Sequence, residues 1–320
     1  MNKILLMGVC LLPLVAGCRQ NELAQEVNNV EAAIKLRASV SVPGLSRTVF
    51  DAEDASTSFS EGDAIGFFMP EDENQVKWTL SGDGWNSEVP LMWENKVDEF
   101  EFCAYYPYAE DTESRESVPM PDLSAQKGDA AGIGAYDFLA ARCTSSYSSN
   151  SGAVSFVGNH AFRHVCTLLS VTIKKDLSGE DVRISGATLR GTGLFSRMRY
   201  KFASSSVDDG VQPASSPSVD ELSFDYEEPV EIPDETGYSL FIICNPTVLS
   251  ESPRFSIAYV RDGISYTATT DKLGKEFLSG TFNKYTLKLT KEGLELVGQE
   301  IAGWDEEVIP DIPLTETPAE

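Results

Sequence analysis

Two histidines four residues apart, His160 and His164, would share one face of a helix, a spacing that can hold a metal ion. The zinc-protease arrangement needs a glutamate beside the first histidine, but Ala161 stands there and no cysteine or histidine cluster lies nearby. The pair therefore reads as histidines satisfied at a domain junction. Acidic groups such as Glu71/Asp72/Glu73 and Glu227/Glu228 have the residue types of glycoside hydrolysis, yet a chain with 50 Asp+Glu forms such neighbours freely, and they read as solvated loops. Asp83, in SGDGWNSE, lacks the ligand spacing of a calcium loop and reads as a turn. Nucleophile-elbow, phosphate-loop and dinucleotide-binding patterns do not occur. The expectation is a protein that is not an enzyme and that uses no metal and no cofactor.

Cysteine chemistry is more informative. Residues 1–17 carry Lys3 and then the apolar run ILLMGVCLLPLVAG, which is too short to span a bilayer and reads as a secretory signal. It closes on Leu14-Val15-Ala16-Gly17-Cys18, which resembles the bacterial lipobox, where small residues let a peptidase cut before a lipidated cysteine. A lipid anchor is expected on Cys18. Cys103, Cys143, Cys166 and Cys244 remain in the body of the chain, and none has the CxxC spacing of a zinc or redox site. Buried thiols are the favoured reading for them and disulfides the alternative.

The charge balance removes whole classes of partner. With 25 Lys+Arg against 50 Asp+Glu the net charge is −25, which repels nucleic-acid backbones and anionic lipid headgroups alike. No nucleic acid is expected. A chain of 320 residues, 42% hydrophobic and 10% aromatic, has enough apolar material for about two domains.

The elements that would position these residues are strands. Residues 18–33 read as a polar tether. Ile34, Leu36, Ala38, Val40 and Val42 then alternate with Lys35, Arg37, Ser39 and Ser41, the period of a half-buried strand, and Pro43-Gly44 ends it. The runs AIGFFM, VKWTL, LMWE and FEFCAYY follow, separated by Gly/Asp-rich turns, a pattern for an all-β sandwich. Residues 110–135 and 144–153 read as surface loops, and Ala161, Val165 and Leu168 as a short helical turn. Later strands include a hairpin closed by Asp262-Gly263 and a second one around Lys291-Glu292-Gly293. The expected divisions are a first domain over 34–158, a second over 159–304 and an acidic tail over 305–320.

Strand chemistry supplies a mechanism. Arg47, in the loop after the first strand, is where an arginine-specific protease could cut, leaving Thr48 as the new N-terminus. The vacated groove would expose unpaired backbone groups and apolar pockets, a template for another chain's strand. Val308, Pro310, Ile312 and Leu314 alternate in the tail and form the candidate donor, although Pro310 and Pro313 each lack a ladder N–H; a tail without this role is the equal alternative. Trp78, Trp85 and Trp93 are candidates for a sugar-stacking face, with core positions the favoured reading.

Several blocks in order now carry a resemblance: the lipobox at Cys18; FSEGDAIGFF over 59–68; Trp85, Trp93 and AYYPY over 104–108; His160-Ala161-Phe162; and FNKY over 282–285 through Ile301 to Trp304. They resemble the fimbrillin family of Bacteroidetes lipoproteins. The resemblance implies two tandem transthyretin-like β-sandwich domains after a lipoprotein signal peptide. It also implies an outer-membrane lipoprotein, removal of the first strand after an arginine matched here by Arg47, with Arg37 the less accessible alternative, and polymerisation with other fimbrial subunits by strand exchange. Shaft, tip, anchor and accessory roles all stay open. The alternative is a monomeric surface lipoprotein that binds a glycan or a host protein.

Overall fold

The computed structural model describes residues 32–41, 58–70, 74–176, 180–203, 210–214 and 220–304. Cys18, Val42, Arg47, Thr48, the Glu71–Glu73 acidic group and the tail positions Val308, Pro310, Ile312 and Leu314 lie outside the described residues. The first half contributes β1 (Lys35–Ala38), β2 (Ala64–Phe68), β3 (Gln75–Ser81), β4 (Gly84–Ser87), β5 (Phe100–Tyr106), β6 (Val118–Pro119), β7 (Leu139–Ser145), β8 (Ala153–Phe156) and β9 (Arg163–His164). The second contributes β10 (Thr167–Lys175), β11 (Val182–Arg190), β12 (Met198–Lys201), β13 (Gly210–Pro213), β14 (Glu221–Glu231), β15 (Tyr238–Cys244), β16 (Thr247–Val248), β17 (Arg254–Arg261), β18 (Ile264–Thr270), β19 (Glu276–Phe277), β20 (Thr281–Leu289) and β21 (Leu294–Gly303). The only helical elements among the described residues are short 3-10 turns, so the chain is all-β.

Six strands form one sheet in the order β4-β3-β2-β5-β7-β9. β2, inside the sheet, is apolar along its whole length because both of its faces are covered. Ile65, Phe67, Phe102, Ala104, Leu139 and Cys143 enter one core together with Ile34, Leu36, Val154 and Phe156. Phe68, Cys103, Tyr105 and Ala140 point the other way, into a larger core shared with the second half. That half stacks two four-stranded sheets, β15-β10-β20-β21 and β14-β11-β17-β18. In the first, β10 and β20 run parallel.

The Asp262-Gly263 hairpin forms as expected: β17 and β18 pair with Arg261 opposite Ile264, and both turn residues have positive φ, 51° and 78°. The second expected hairpin is the β20–β21 pair, with Leu289 opposite Leu294.

Three expectations need correction. The run LMWE is no strand of its own; Met92 makes an isolated antiparallel bridge to Ala33. Residues 110–135 are no surface loop: β6 pairs with β12, and Val118, Met120, Leu123 and Ile133 are buried. This stretch runs along the outer edge of β15. There the Gln126 side-chain amide donates to the Ile243 carbonyl and accepts from the Ile243 N–H, both at 2.9 Å, while Phe241 N–H donates to the Gly128 carbonyl at 2.9 Å. A sheet edge that would otherwise be open is thereby covered. The third correction concerns the histidines. A 3-10 turn over Gly158–His160 leads into β9, so His160 is exposed at the end of the turn and His164 is buried in a strand.

Candidate functional site

The described part of the first alternating segment, residues 34–41, occupies a slot with a neighbour on each side. β1 lies parallel to β8, with Leu36 opposite Val154 and Ala38 opposite Phe156. Lys35 N–H donates to the Gly152 carbonyl at 3.1 Å and Ser39 N–H to the Phe156 carbonyl at 3.0 Å. On the other flank, Ile34 N–H donates to the Leu91 carbonyl at 2.8 Å and Trp93 N–H to the Ala32 carbonyl at 3.1 Å. Beyond β1, Val40 bridges Phe162, and Ser41 N–H donates to the Phe162 carbonyl at 2.8 Å. The segment is therefore held along one side by residues 152–162 and, at its start, by residues 91–93 on the other.

The period of two has the expected consequence. Ile34, Leu36 and Val40 are 5%, 8% and 5% exposed, Ala38 is half-buried, and Lys35 and Arg37 face outward. The core that receives the three large side chains is rich in aromatic rings. Phe156 sits 5.6 Å from Phe162 and 6.2 Å from Phe67, while Phe67 stacks on Phe102 at 5.6 Å. Trp93 lies edge-on to Phe102 at 5.4 Å, and its indole N–H donates to the Gly152 carbonyl at 3.0 Å, the same oxygen that accepts from Lys35. Sequence reading missed Gly152 and Leu91, which act through their backbone, as well as Phe162. The order in which these segments flank the strand is a long-range pairing with no local signature.

The tryptophans proposed as a sugar-stacking face belong to this core. Trp78 and Trp93 are 3% and 7% exposed, and Trp85 is half-buried, edge-on to Phe59 at 5.1 Å.

The two histidines meet at a second place, an open cleft of about 890 Å³ lined by Arg142, His160, Arg163, Tyr200, Ser279 and Gly303 among others. His164 Nδ1 lies 2.9 Å from the Asp137 carboxylate, and its ring stacks on Trp304, 4.1 Å between centroids and 5° from parallel. His160 Nδ1 lies 3.3 Å from the Arg142 carbonyl. Among the described residues no group of three metal-ligating side chains occurs.

Cys103, Cys143, Cys166 and Cys244 are buried, with no disulfide among them. Cys103 and Cys143 enter opposite cores of the six-stranded sheet, so they face away from one another. Burial pushes the Cys143 thiol up to about 12, and raises those of Cys166 and Cys244 as well.

Solved structures share this architecture. A cell adhesion protein, provisionally so named, from Bacteroides uniformis superposes with a TM-score of 0.58 at 15% identity, over 86% of this chain and 99% of that one. A fimbrial protein from Bacteroides vulgatus gives 0.52 at 16% identity, over 86% and 99%. At these identities the likeness is one of fold. A Bacteroides ovatus protein provisionally named fimbrium tip subunit Fim1C is 31% identical over 142 residues, 39% of this chain and 25% of that protein. The match thus spans about a quarter of that relative's length. The model of one family, described as fimbrillin-like, matches residues 48–304, most of the chain, from just beyond the first strand to the Trp304 that stacks on His164. The protein belongs to the fimbrillin-like family.

Proposed function

We propose that this chain is a structural and adhesive subunit of a cell-surface fimbrium. It is exported as an outer-membrane lipoprotein anchored through Cys18, cut after Arg47, and joined to other subunits by an incoming strand that replaces residues 34–42. The observation that carries this reading is the slot itself: a strand bonded along one flank by residues 152–162 and at its start by residues 91–93, with Ile34, Leu36 and Val40 buried in a core rich in aromatic rings. Burial of Ile34, Leu36 and Val40 contributes roughly 1.5–3 kcal/mol each, about 5–9 kcal/mol in all before entropy. A domain's whole stability is about 5–15 kcal/mol, so an emptied slot must be refilled for the domain to persist. Cutting thus creates a demand for a partner strand. The relatives' names, fimbrial and adhesion proteins, support the same reading.

The test is the N-terminal residue of the protein recovered from sheared surface appendages. Thr48 in high-mass polymer is expected, and Arg47→Ala should leave the chain uncut and outside the polymer. Lipidated Cys18 on a protein found only as a membrane-bound monomer would overturn the proposal.

A further inference from the structure

The slot also shows what kind of strand can enter it, given the strand-exchange reading above. The segment from 34 to 41 is bonded along one flank to residues 152–162 and, at Ile34, to Leu91 on the other. Ile34 N–H is engaged by Leu91 on one flank, and the N–H groups of Lys35, Ser39 and Ser41 by Gly152, Phe156 and Phe162 on the other. A proline at any of these four positions removes a ladder donor and leaves its carbonyl partner unpaired. The chain's own tail has Pro310 and Pro313 inside its alternating run.

Sliding that tail through the slot in steps of two keeps its apolar residues inward, and each register fails. With Val308 over Ile34, Pro313 takes the place of Ser39 and leaves the Phe156 carbonyl without its donor. With Val308 over Leu36, Pro313 falls on Ser41 and the Phe162 carbonyl is left instead. With Pro310 over Ile34, the Leu91 carbonyl is orphaned. With Ile312 over Ile34, Pro313 replaces Lys35, which donates to Gly152. Reversing the strand exchanges the two flanks, so that Pro310 instead of Pro313 then faces the β8 side.

Charge points the same way. The resident strand presents Lys35 and Arg37 on its outward face, with no acid between 34 and 41, against a strongly acidic body. The tail carries Asp305, Glu306, Glu307, Asp311, Glu316 and Glu320 and no base.

We propose that this slot is filled by a strand of a different chain and not by residues 305–317 of a second copy. The partner strand is free of proline over eight positions. It carries large apolar residues at its first, third and seventh positions, and neutral or basic residues facing outward.

The experiment uses the full chain with residues 43–47 replaced by the recognition sequence of a site-specific protease. After cutting, labelled peptides are exchanged into the protein and followed by fluorescence anisotropy. They are residues 32–42, the same peptide with Ser39→Pro, and residues 305–317. The 32–42 peptide should bind, the Ser39→Pro peptide at least tenfold more weakly, and the tail peptide at least a hundredfold more weakly. The cut protein alone should stay free of ordered polymer. Tail binding as tight as that of the 32–42 peptide, or equal binding of the Ser39→Pro peptide, would overturn this proposal and leave strand exchange standing. Failure of the 32–42 peptide itself to bind would overturn the strand-exchange reading and this proposal with it.

Discussion

At the scale of single residues, the first strand separates two kinds of position one residue apart. Leu36 is buried in a core rich in aromatic rings, so Leu36→Ala should destabilise the uncut chain by about 2–4 kcal/mol, as truncations of buried leucines do. Arg37 faces outward, and Arg37→Ala should stay within about 0.5 kcal/mol. Urea unfolding of the two variants measures the difference, and equal effects would contradict the slot. Titration gives a second residue-scale expectation. Burial raises the Cys143 thiol and the Tyr285 hydroxyl to about 12 each, and moves Tyr106 and Tyr226 upward as well. The unfolded chain ionises thiols from about 8.5 and phenols from about 10, while the native chain stays protonated. Stability is therefore fully present below about pH 8.5 and is lost as pH climbs toward 12. The Tm should fall from pH 7.5 to 10.5, and Cys143→Ala should flatten the first part of that fall. Alternating residues such as Ile34 and Leu36 were legible in sequence because side-chain direction follows chain position alone. The role of Gly152 was not, because a carbonyl that serves both Lys35 and Trp93 leaves no mark on residue type.

At the scale of elements, legibility tracked whether the partner lay nearby in the chain. Both hairpins could be read because the turn residues and the paired strands are contiguous. The parallel partner of β1 could not, since nothing in KLRA specifies β8. The stretch over 110–135 misled for another reason. Its buried residues, Val118, Met120, Leu123 and Ile133, follow neither a period of two nor one of 3.6, because a short strand and two 3-10 turns divide them. The histidine pair failed similarly: an i, i+4 spacing reports a shared face only if the residues are helical, and β9 is not. The strap formed by 118–136 has a direct test. Gln126→Ala removes two hydrogen bonds to Ile243 and leaves both backbone groups buried, which should cost about 1–3 kcal/mol. Gln126→Glu buries a carboxylate against the Leu123 and Ile243 carbonyls, so its urea midpoint at pH 7 should lie below that of the alanine variant.

At the scale of the whole molecule, the two halves share one core. Phe68, Tyr105 and Phe138 from the first half pack in the same cluster as Leu168, Leu240 and Tyr285 from the second. The six-stranded sheet is the common wall between that cluster and the slot's aromatic core. Heating the uncut chain should accordingly give a single cooperative transition, with calorimetric and van't Hoff enthalpies equal. Two separable transitions would show that the halves melt independently. Removing residues 1–47 takes away five basic and three acidic residues and leaves −27, so pairing between subunits must overcome charge repulsion.

The parallel pairing of β1 with β8 also bears on the order in which the protein is made. Leu36 and Val154 are more than a hundred residues apart in the chain, and closing so long a loop is slow relative to forming the local hairpins. The segment can meet Leu91 and Trp93 early, but its pairing with Gly152, Phe156 and Phe162 must wait until those residues are made. Contact order therefore places the closing of this pairing late in folding, after the local hairpins. The open form invoked for assembly is a return to a late step of the protein's own folding.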